Sequence, residues 1–274
     1  WTDLLLLRQF DTDGGALDAG LEAGMTPRQL AMQRLLQGRW DEALALLPNA
    51  FCHWRIGVSA YEAGCYEDAV EHLQAGYDLA ARDGAARLML LCRAYMGNCY
   101  CNRRDIERMR PHYAAARRLA QALGEQELLD SIAYNTAAVQ IERGQFEEAY
   151  GYFSALNDPG VLALHKLAIC CEKTGRTAEA YAALERAEAA ETAEQRSEAV
   201  EKMLAVVRFR LAHPDYLHCD AYGALLLDCF ACCRTRLPQG YAAFHLPWVV
   251  EWYTAARQYK KVCELLTEFP DIRL

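Results

Sequence analysis

Apolar and polar residues recur at helical spacing along almost the whole chain, and no stretch keeps the alternation of β-branched and polar residues that marks a strand. Ala, Leu, Glu, Arg and Gln dominate these segments. The periodicity is broken at intervals by turns that share one grammar: GRWDEAL at 38–44, GCYEDAV at 64–70, GQFEEAY at 144–150 and GRTAEAY at 175–181. A fifth, ARQYKKV at 256–262, keeps the aromatic residue but not the glycine. Each letter has a physical task. Glycine ends one helix in a left-handed cap that other residues adopt at a cost. The aromatic two places later packs into the angle between the helices, and the alanine three beyond it lets them approach closely. The acidic residues between them sit in the first turn of the second helix, where its dipole favours negative charge. Repetition of such a unit is the signature of an array.

The spacing resembles the tetratricopeptide repeat, a helix-turn-helix unit of about 34 residues. Segment 51–80 matches through Ile56-Gly57, Gly64, Tyr66, Ala69 and Leu73. Segment 130–156 matches through Ala137, Gly144, Phe146, Ala149 and Phe153. Segment 161–187 matches through Ala168, Gly175, Ala180, Leu184 and Ala187, with Thr177 in place of the aromatic. Segment 24–47 matches through Ala31, Gly38, Trp40, Ala43 and Leu47, and its second helix must be short because Pro48 follows. Between them, 89–116 is a degenerate unit in which Gly97, Tyr100 and Ile106 fit. There Pro111 would fall inside the second helix, so the reading is a longer loop with that helix starting near Arg110. The resemblance implies an all-α fold, a right-handed superhelical solenoid of antiparallel helix pairs.

The expected organisation is a helical lead-in over 1–23, repeat-like pairs over 24–190, and a C-terminal helical extension over 191–274 that ends in a degenerate pair at 246–269. Residues 191–237 read as two long helices broken at His213-Pro214-Asp215, a plausible end cap for the array. Thr26-Pro27 with Gln29 reads as a helix start, an N-cap followed by proline at the first helical position.

In the repeat class, the first helix of each pair lines the inner, concave surface. Residues nine, six and two places before the turn share one face of that helix. These are Gln29, Met32 and Leu36; Arg55, Val58 and Glu62; Tyr95, Asn98 and Asn102; Asn135, Ala138 and Glu142; and Lys166, Ile169 and Lys173. A face that only packs would be uniformly apolar, and one that only meets water would not carry Met32, Val58, Ala138 and Ile169. The mixture suits an extended peptide, because an Asn amide both donates to and accepts from a backbone peptide group. The candidate peptide-binding set is therefore Gln29, Arg55, Glu62, Tyr95, Asn98, Asn102, Asn135, Glu142, Lys166 and Lys173. The plainer alternatives are a structural hydrogen bond for Asn135 and ordinary solvent exposure for Lys166 and Lys173.

With 53% apolar and 24% charged residues in 274, the chain can bury a substantial core. Its net charge of −8 argues against this segment gripping DNA or an anionic membrane by itself. The stretch 102–118 is locally basic, with six arginines against two acids, and reads as a solvated helix face. No apolar run approaches a membrane span, and no signal peptide is visible. Twelve cysteines, two of the pairs adjacent in sequence, fit buried thiols in a reducing cytoplasm better than a disulfide framework.

Catalytic motifs are missing: there is no phosphate loop, no H-E-x-x-H and no G-x-S-x-G. No catalytic residue and no cofactor is expected. Cys229 with Cys232 or Cys233 could bring two thiolates together on a helix. Cys219, ten residues earlier, is about 15 Å away along a continuous helix and cannot join them. The cluster therefore reads as core packing, and no metal is expected. Trp248, Trp252, Tyr253 and Tyr259 read as core, with self-association as the alternative.

The chain further resembles the tetratricopeptide half of bacterial peptide-sensing regulators. That resemblance implies a short peptide along the concave face, a homodimer through the C-terminal helices, and DNA binding only through a helix-turn-helix domain ahead of Trp1. The alternative is a free-standing scaffold for a protein partner.

Overall fold

The computed structural model describes residues 24–189, 197–237 and 239–269. The expected lead-in over 1–23 and the boundary near 190 lie outside the described residues. Among those described there are fourteen α-helices, a single 3-10 turn and no strand. The fold is all-α and built from the helix pairs that the repeat grammar predicts. Two compact units divide it. The first takes in the residues up to Tyr100 together with Glu107–Leu129; the second takes in Cys101–Ile106 and the chain from Asp130 onward.

The first unit contains α1 (Pro27–Leu36), α2 (Trp40–Leu46), α3 (Ala50–Glu62), α4 (Tyr66–Asp83), most of α5 (Ala86–Asn102) and nearly all of α6 (Ile106–Leu123). Thr26 caps α1 in a reciprocal capping box with Gln29, and Pro27 takes the first helical position. Helix α2 has seven residues and stops before Pro48. Gly38 and Gly64 hold the left-handed turns, with φ of 73° and 79°.

Packing within each pair follows a trade of size across the turn. Gly57 on α3 faces Leu73 on α4, and a Cβ built on Gly57 would lie 2.7 Å from the Leu73 Cγ. Gly97 on α5 faces the ring of Tyr113 on α6, where a Cβ would come within 2.2 Å. The alanine that follows each turn is fully buried at Ala43 and Ala69, and Met109 fills that position in the third pair.

The degenerate unit departs from the reading given above. Helix α6 begins at Ile106, not near Arg110, and carries Pro111 inside it. The turn is closed by Arg104, which adopts the left-handed conformation (φ 58°) in the place glycine takes elsewhere. Proline removes one backbone bond, but Met109, Tyr113, Ala116 and Ala120 are buried along a single stripe and hold the helix in place. The basic stretch is likewise not uniformly solvated. Arg108, Arg110, Arg117 and Arg118 are exposed, whereas Arg104 is buried.

The second unit contains α7 (Gln126–Glu142), α8 (Phe146–Ser154), α9 (Val161–Lys173), α10 (Thr177–Ala189), α11 (Glu198–Ala212), α12 (Asp220–Arg236), α13 (Gln239–Ala255) and α14 (Tyr259–Glu268). The first few residues of α7 belong to the first unit. Ala137, Phe153, Ala168 and Leu184 form the core that the pattern predicts. The break at His213–Asp215 separates α11 from α12, with the 3-10 turn at Tyr216–His218 between them. Helix α13 starts at Gln239 and runs through Pro247, earlier than a pair confined to 246–269 would allow. Arg257, with φ of 57°, closes the last turn. Trp252 is buried, Trp248 and Tyr253 are half-buried, and Tyr259 is exposed. All twelve cysteines are free thiols.

Candidate functional site

In the first unit, the predicted face is built of rings and the cations that lie on them. The Gln29 amide is taken up by the Thr26 cap, its Oε1 accepting from the Thr26 backbone N–H at 3.0 Å. The Arg55 guanidinium lies over the rings of Trp40 and Trp54, 4.9 and 5.5 Å from their centroids. Tyr95 stands edge-on to Tyr61 at 5.5 Å. Burial and the nearby Glu62 raise the pKa of the Tyr95 phenol, while Arg55 opposes them, so these three predicted residues share one local field. Glu62 itself is exposed. The Asn98 Oδ1 accepts from the Tyr113 hydroxyl at 2.7 Å, a bond from the first helix of a pair to the second. Val58 is buried and Met32 half-buried.

In the second unit, Asn102, Asn135, Glu142, Lys166 and Lys173 occupy the equivalent positions, and here the chemistry is ionic. Glu142 faces Arg104 across 2.6 Å, with side chains only 11% and 8% exposed. The contact is an ion pair rather than an aligned hydrogen bond, because the Arg104 Nε–H finds no acceptor along its axis. Arg104 also donates to the carbonyls of Cys101 (2.8 Å) and Gly240 (3.1 Å). Burial pushes the Glu142 carboxyl upward, and the charges of Arg104 and Lys166 pull it back.

Lys166 is buried, at 5% exposure, which overturns the alternative of ordinary solvent exposure. Its ammonium lies 4.9 Å from the ring centre of Phe244, 5.1 Å from that of Tyr134 and 5.9 Å from that of Tyr241. No ion pair satisfies it among the described residues; Glu142 acts on it from further away. Burial lowers its pKa, against the pull of Tyr241 and Glu142. Asn135 and Asn102 are half-buried. Lys173 is half-buried too and donates to the Tyr216 hydroxyl at 3.1 Å.

A second buried pair lies in the same unit. Arg210 makes a two-pronged bond to Glu172 at 2.8 and 2.7 Å and lies over the Trp248 ring at 4.8 Å. His165 and His245 stack at 6.0 Å, each 1% exposed. Among the described residues, the Tyr134 hydroxyl and the His165 Nδ1 are buried without a hydrogen-bond partner. Such orphaned polar groups are rare and point to a missing partner or to water.

The reading of single helices missed Arg104, Glu172, Arg210, Tyr134, Tyr241, Phe244, His165 and His245. Two signals were available. Arg104 stands where the turn register calls for glycine, and the His165-Lys166 dipeptide interrupts the otherwise apolar run LALHKLAICC. The covering by Tyr241 and Phe244 left no such signal, because it comes from a distant helix. The arrangement can hold and orient an anion.

No protein-family model and no curated sequence matches the chain. Solved structures share its fold. A Rap protein complexed with competence and sporulation factor superposes with a TM-score of 0.64 at 16% identity, over 97% of this chain and 80% of that one. The Rap conjugation gene regulator of plasmid pLS20, in complex with the Phr* peptide, gives 0.53 at 16% identity over 88% and 75%. The apo form of the quorum sensor NprR from B. thuringiensis gives 0.53 at 12% identity over 98% and 82%. The likeness defines the class of architecture, an all-α repeat of the tetratricopeptide type. Among the described residues, no helix is long and apolar enough to cross a membrane.

Proposed function

We propose that this chain is the non-enzymatic, ligand-sensing part of a cytoplasmic bacterial regulator, and that its ligand is a short peptide held on the faces of the first helices. The observation that carries this reading is Lys166. A buried ammonium without an ion-paired carboxylate is costly, and a peptide carboxylate, terminal or acidic, would supply the missing charge. Arg104, already paired with Glu142, steadies the same cluster, and Asn135 at the matching position of the preceding pair would read the peptide backbone. The Rap structures that share the fold are complexes with competence and sporulation factor and with the Phr* peptide, which supports a peptide as the ligand class. Self-association through the C-terminal helices belongs to the same reading and draws on the exposed ring of Tyr259.

The test is affinity selection from a pool of pentapeptides with free C-termini against the full chain, followed by calorimetric titration of those enriched. Asn135→Ala should weaken binding at least tenfold while moving Tm by no more than about two degrees, as a surface-level stability change does. Lys166→Met should discriminate against peptides with a carboxylate at the matching position. Enriched peptides that bind both variants as well as the parent would overturn the assignment. Capture of a stable protein partner unaffected by short peptides would instead make the same face a scaffold.

A further inference from the structure

Helix α12 carries Cys229 and Cys233 one turn apart, so their side chains leave the same face. Both are fully buried. Cys219, ten residues before Cys229, is too far along the chain to join them, and the third ligand comes instead from α13. The two sulfurs and a ring nitrogen of His245 all lie within 4.8 Å of one another. A tetrahedral zinc ion with Zn–S of about 2.3 Å and Zn–N of about 2.0 Å needs its ligand atoms about 3.5–3.8 Å apart. Small side-chain adjustments span the difference. Burial alone accounts for two thiols, which behave as small hydrophobes. It does not account for an imidazole at 1% exposure brought beside both of them.

The histidine is also prepared for the role. Its Nδ1 lies 2.8 Å from the carbonyl oxygen of Tyr241, and a carbonyl only accepts. Nδ1 therefore carries the proton, and Nε2 keeps its lone pair, the arrangement that orients metal-binding histidines. The cations that act on the ring are Lys166, Arg210 and Arg104. Two of those cations are already compensated, Arg210 by Glu172 and Arg104 by Glu142.

We propose that Cys229, Cys233 and His245 bind one zinc ion through two thiolates and a neutral imidazole, with the fourth position open to water. The dication and two thiolates sum to zero charge, so the complex avoids the penalty of an isolated buried ion. Binding replaces two thiol protons, which pass to solvent, and no atom changes oxidation state. The ion would tie α12 to α13, the helix whose Tyr241 and Phe244 cover Lys166, and so fix one wall of the candidate site.

The test uses the reduced, chelator-stripped full chain titrated with cobalt(II) as the probe. Expected are one equivalent per chain, a thiolate-to-cobalt absorption in the near ultraviolet that zinc bleaches, and release of about two protons per ion. Cys233→Ala and His245→Gln should weaken uptake by more than the roughly 10–100-fold that loss of an outer-shell partner costs. Cys170→Ala, which removes a buried thiol elsewhere in the unit, should leave it unchanged. Should the site variants fail to fold by circular dichroism, X-ray absorption at the zinc edge of the parent chain decides, with two sulfur neighbours at about 2.3 Å expected. The proposal is overturned by sub-stoichiometric uptake, by cobalt spectra lacking the thiolate band, by an edge spectrum lacking sulfur, or by full uptake in a folded site variant.

Discussion

The two units are built from the same helix-turn-helix grammar, yet they stabilise buried polar groups in different ways. In the first, cations lean on rings: Arg55 over Trp40 and Trp54, and Arg93 over Tyr77 at 3.9 Å. Its described ion pairs, such as Arg87 with Glu125, have at least one well-exposed partner. In the second, Arg104–Glu142 and Arg210–Glu172 are ion pairs sealed from water, and Lys166 is buried under aromatic rings. A cation on a ring loses little when the ring or the cation is removed. A sealed pair is all-or-none, because removing one partner strands the other in a medium that cannot solvate it. The repeat grammar fixes backbone geometry and leaves the polar chemistry of each unit free to differ.

The sharpest way to break this contrast is to remove one arginine from each unit. Arg210→Ala should cost about 3 kcal/mol, because buried Glu172 is left with only the half-buried Lys173 ammonium, 3.6 Å away. Arg55→Ala should cost about 1 kcal/mol or less, the range of a partly exposed cation on a ring. Replacing both Arg210 and Glu172 by methionine should restore most of the loss. Urea unfolding of the full chain, followed by far-ultraviolet circular dichroism, measures all three; equal costs for the two single variants would erase the distinction drawn here. One step smaller are two glycines that do the same work in both units. Gly97→Ala drives a methyl into the Tyr113 ring, and Gly223→Ala drives one to within 1.9 Å of the Trp252 ring. Each should cost about 1–3 kcal/mol net, since overpacking outweighs the gain in helix propensity.

How far the sequence carried this picture depends on whether a feature is local. The Thr26 cap, the short α2 before Pro48, the glycine turns and the break at His213 are each set by a few adjacent residues, and each is where the pattern put it. In the third pair two local rules are overridden. Left-handed geometry costs a residue other than glycine only about 1–2 kcal/mol, which the burial and three carbonyl and carboxylate contacts of Arg104 offset. Pro111 loses one hydrogen bond in a helix held by four buried side chains. The candidate site was half legible. The register names Glu142 and Lys166, which act on each other in one cluster, but two of the three rings over Lys166 and the imidazole beside Cys229 come from α13, some seventy-five residues after Lys166 and about twelve after Cys233. Periodicity within one helix carries no information about which distant helix will cover it.

A smaller effect tests the first unit alone. His112 accepts from Arg93 at Nδ1 across 3.2 Å and stacks on Tyr100 at 5.3 Å. Burial, and then the charge of Arg93, lower its pKa to about 4. The unfolded chain, with a histidine pKa of about 6.5, takes up this proton first as the pH falls. Stability that is complete above pH 6.5 is therefore lost between about pH 6.5 and 4. Allowing for the partial exposure of the ring, the loss at pH 5 should be on the order of 1 kcal/mol. Denaturation of the parent and of His112→Gln at pH 7 and pH 5 isolates this contribution; a parallel decline in the two proteins would show that the histidine is not its source.

The last effect is the smallest and has the opposite sign. Arg104 and Arg257 occupy the same turn position and share nearly the same left-handed backbone, with φ of 58° and 57°. Arg104 is compensated by Glu142 and by the carbonyls of Cys101 and Gly240. Arg257 is exposed, and among the described residues no hydrogen bond or ion pair engages its side chain. It carries the cost of the conformation without the contacts that offset it at Arg104. Glycine removes the clash between Cβ and the following carbonyl but adds entropy to the unfolded chain. Arg257→Gly should therefore stabilise the protein by about 0.5–1 kcal/mol. The shift should be visible as a rise in the urea midpoint at constant slope. A fall in the midpoint would mean that the exposed guanidinium is held by a contact as real as those of Arg104, and that the turns of the second unit are set by their side chains as well as by backbone geometry.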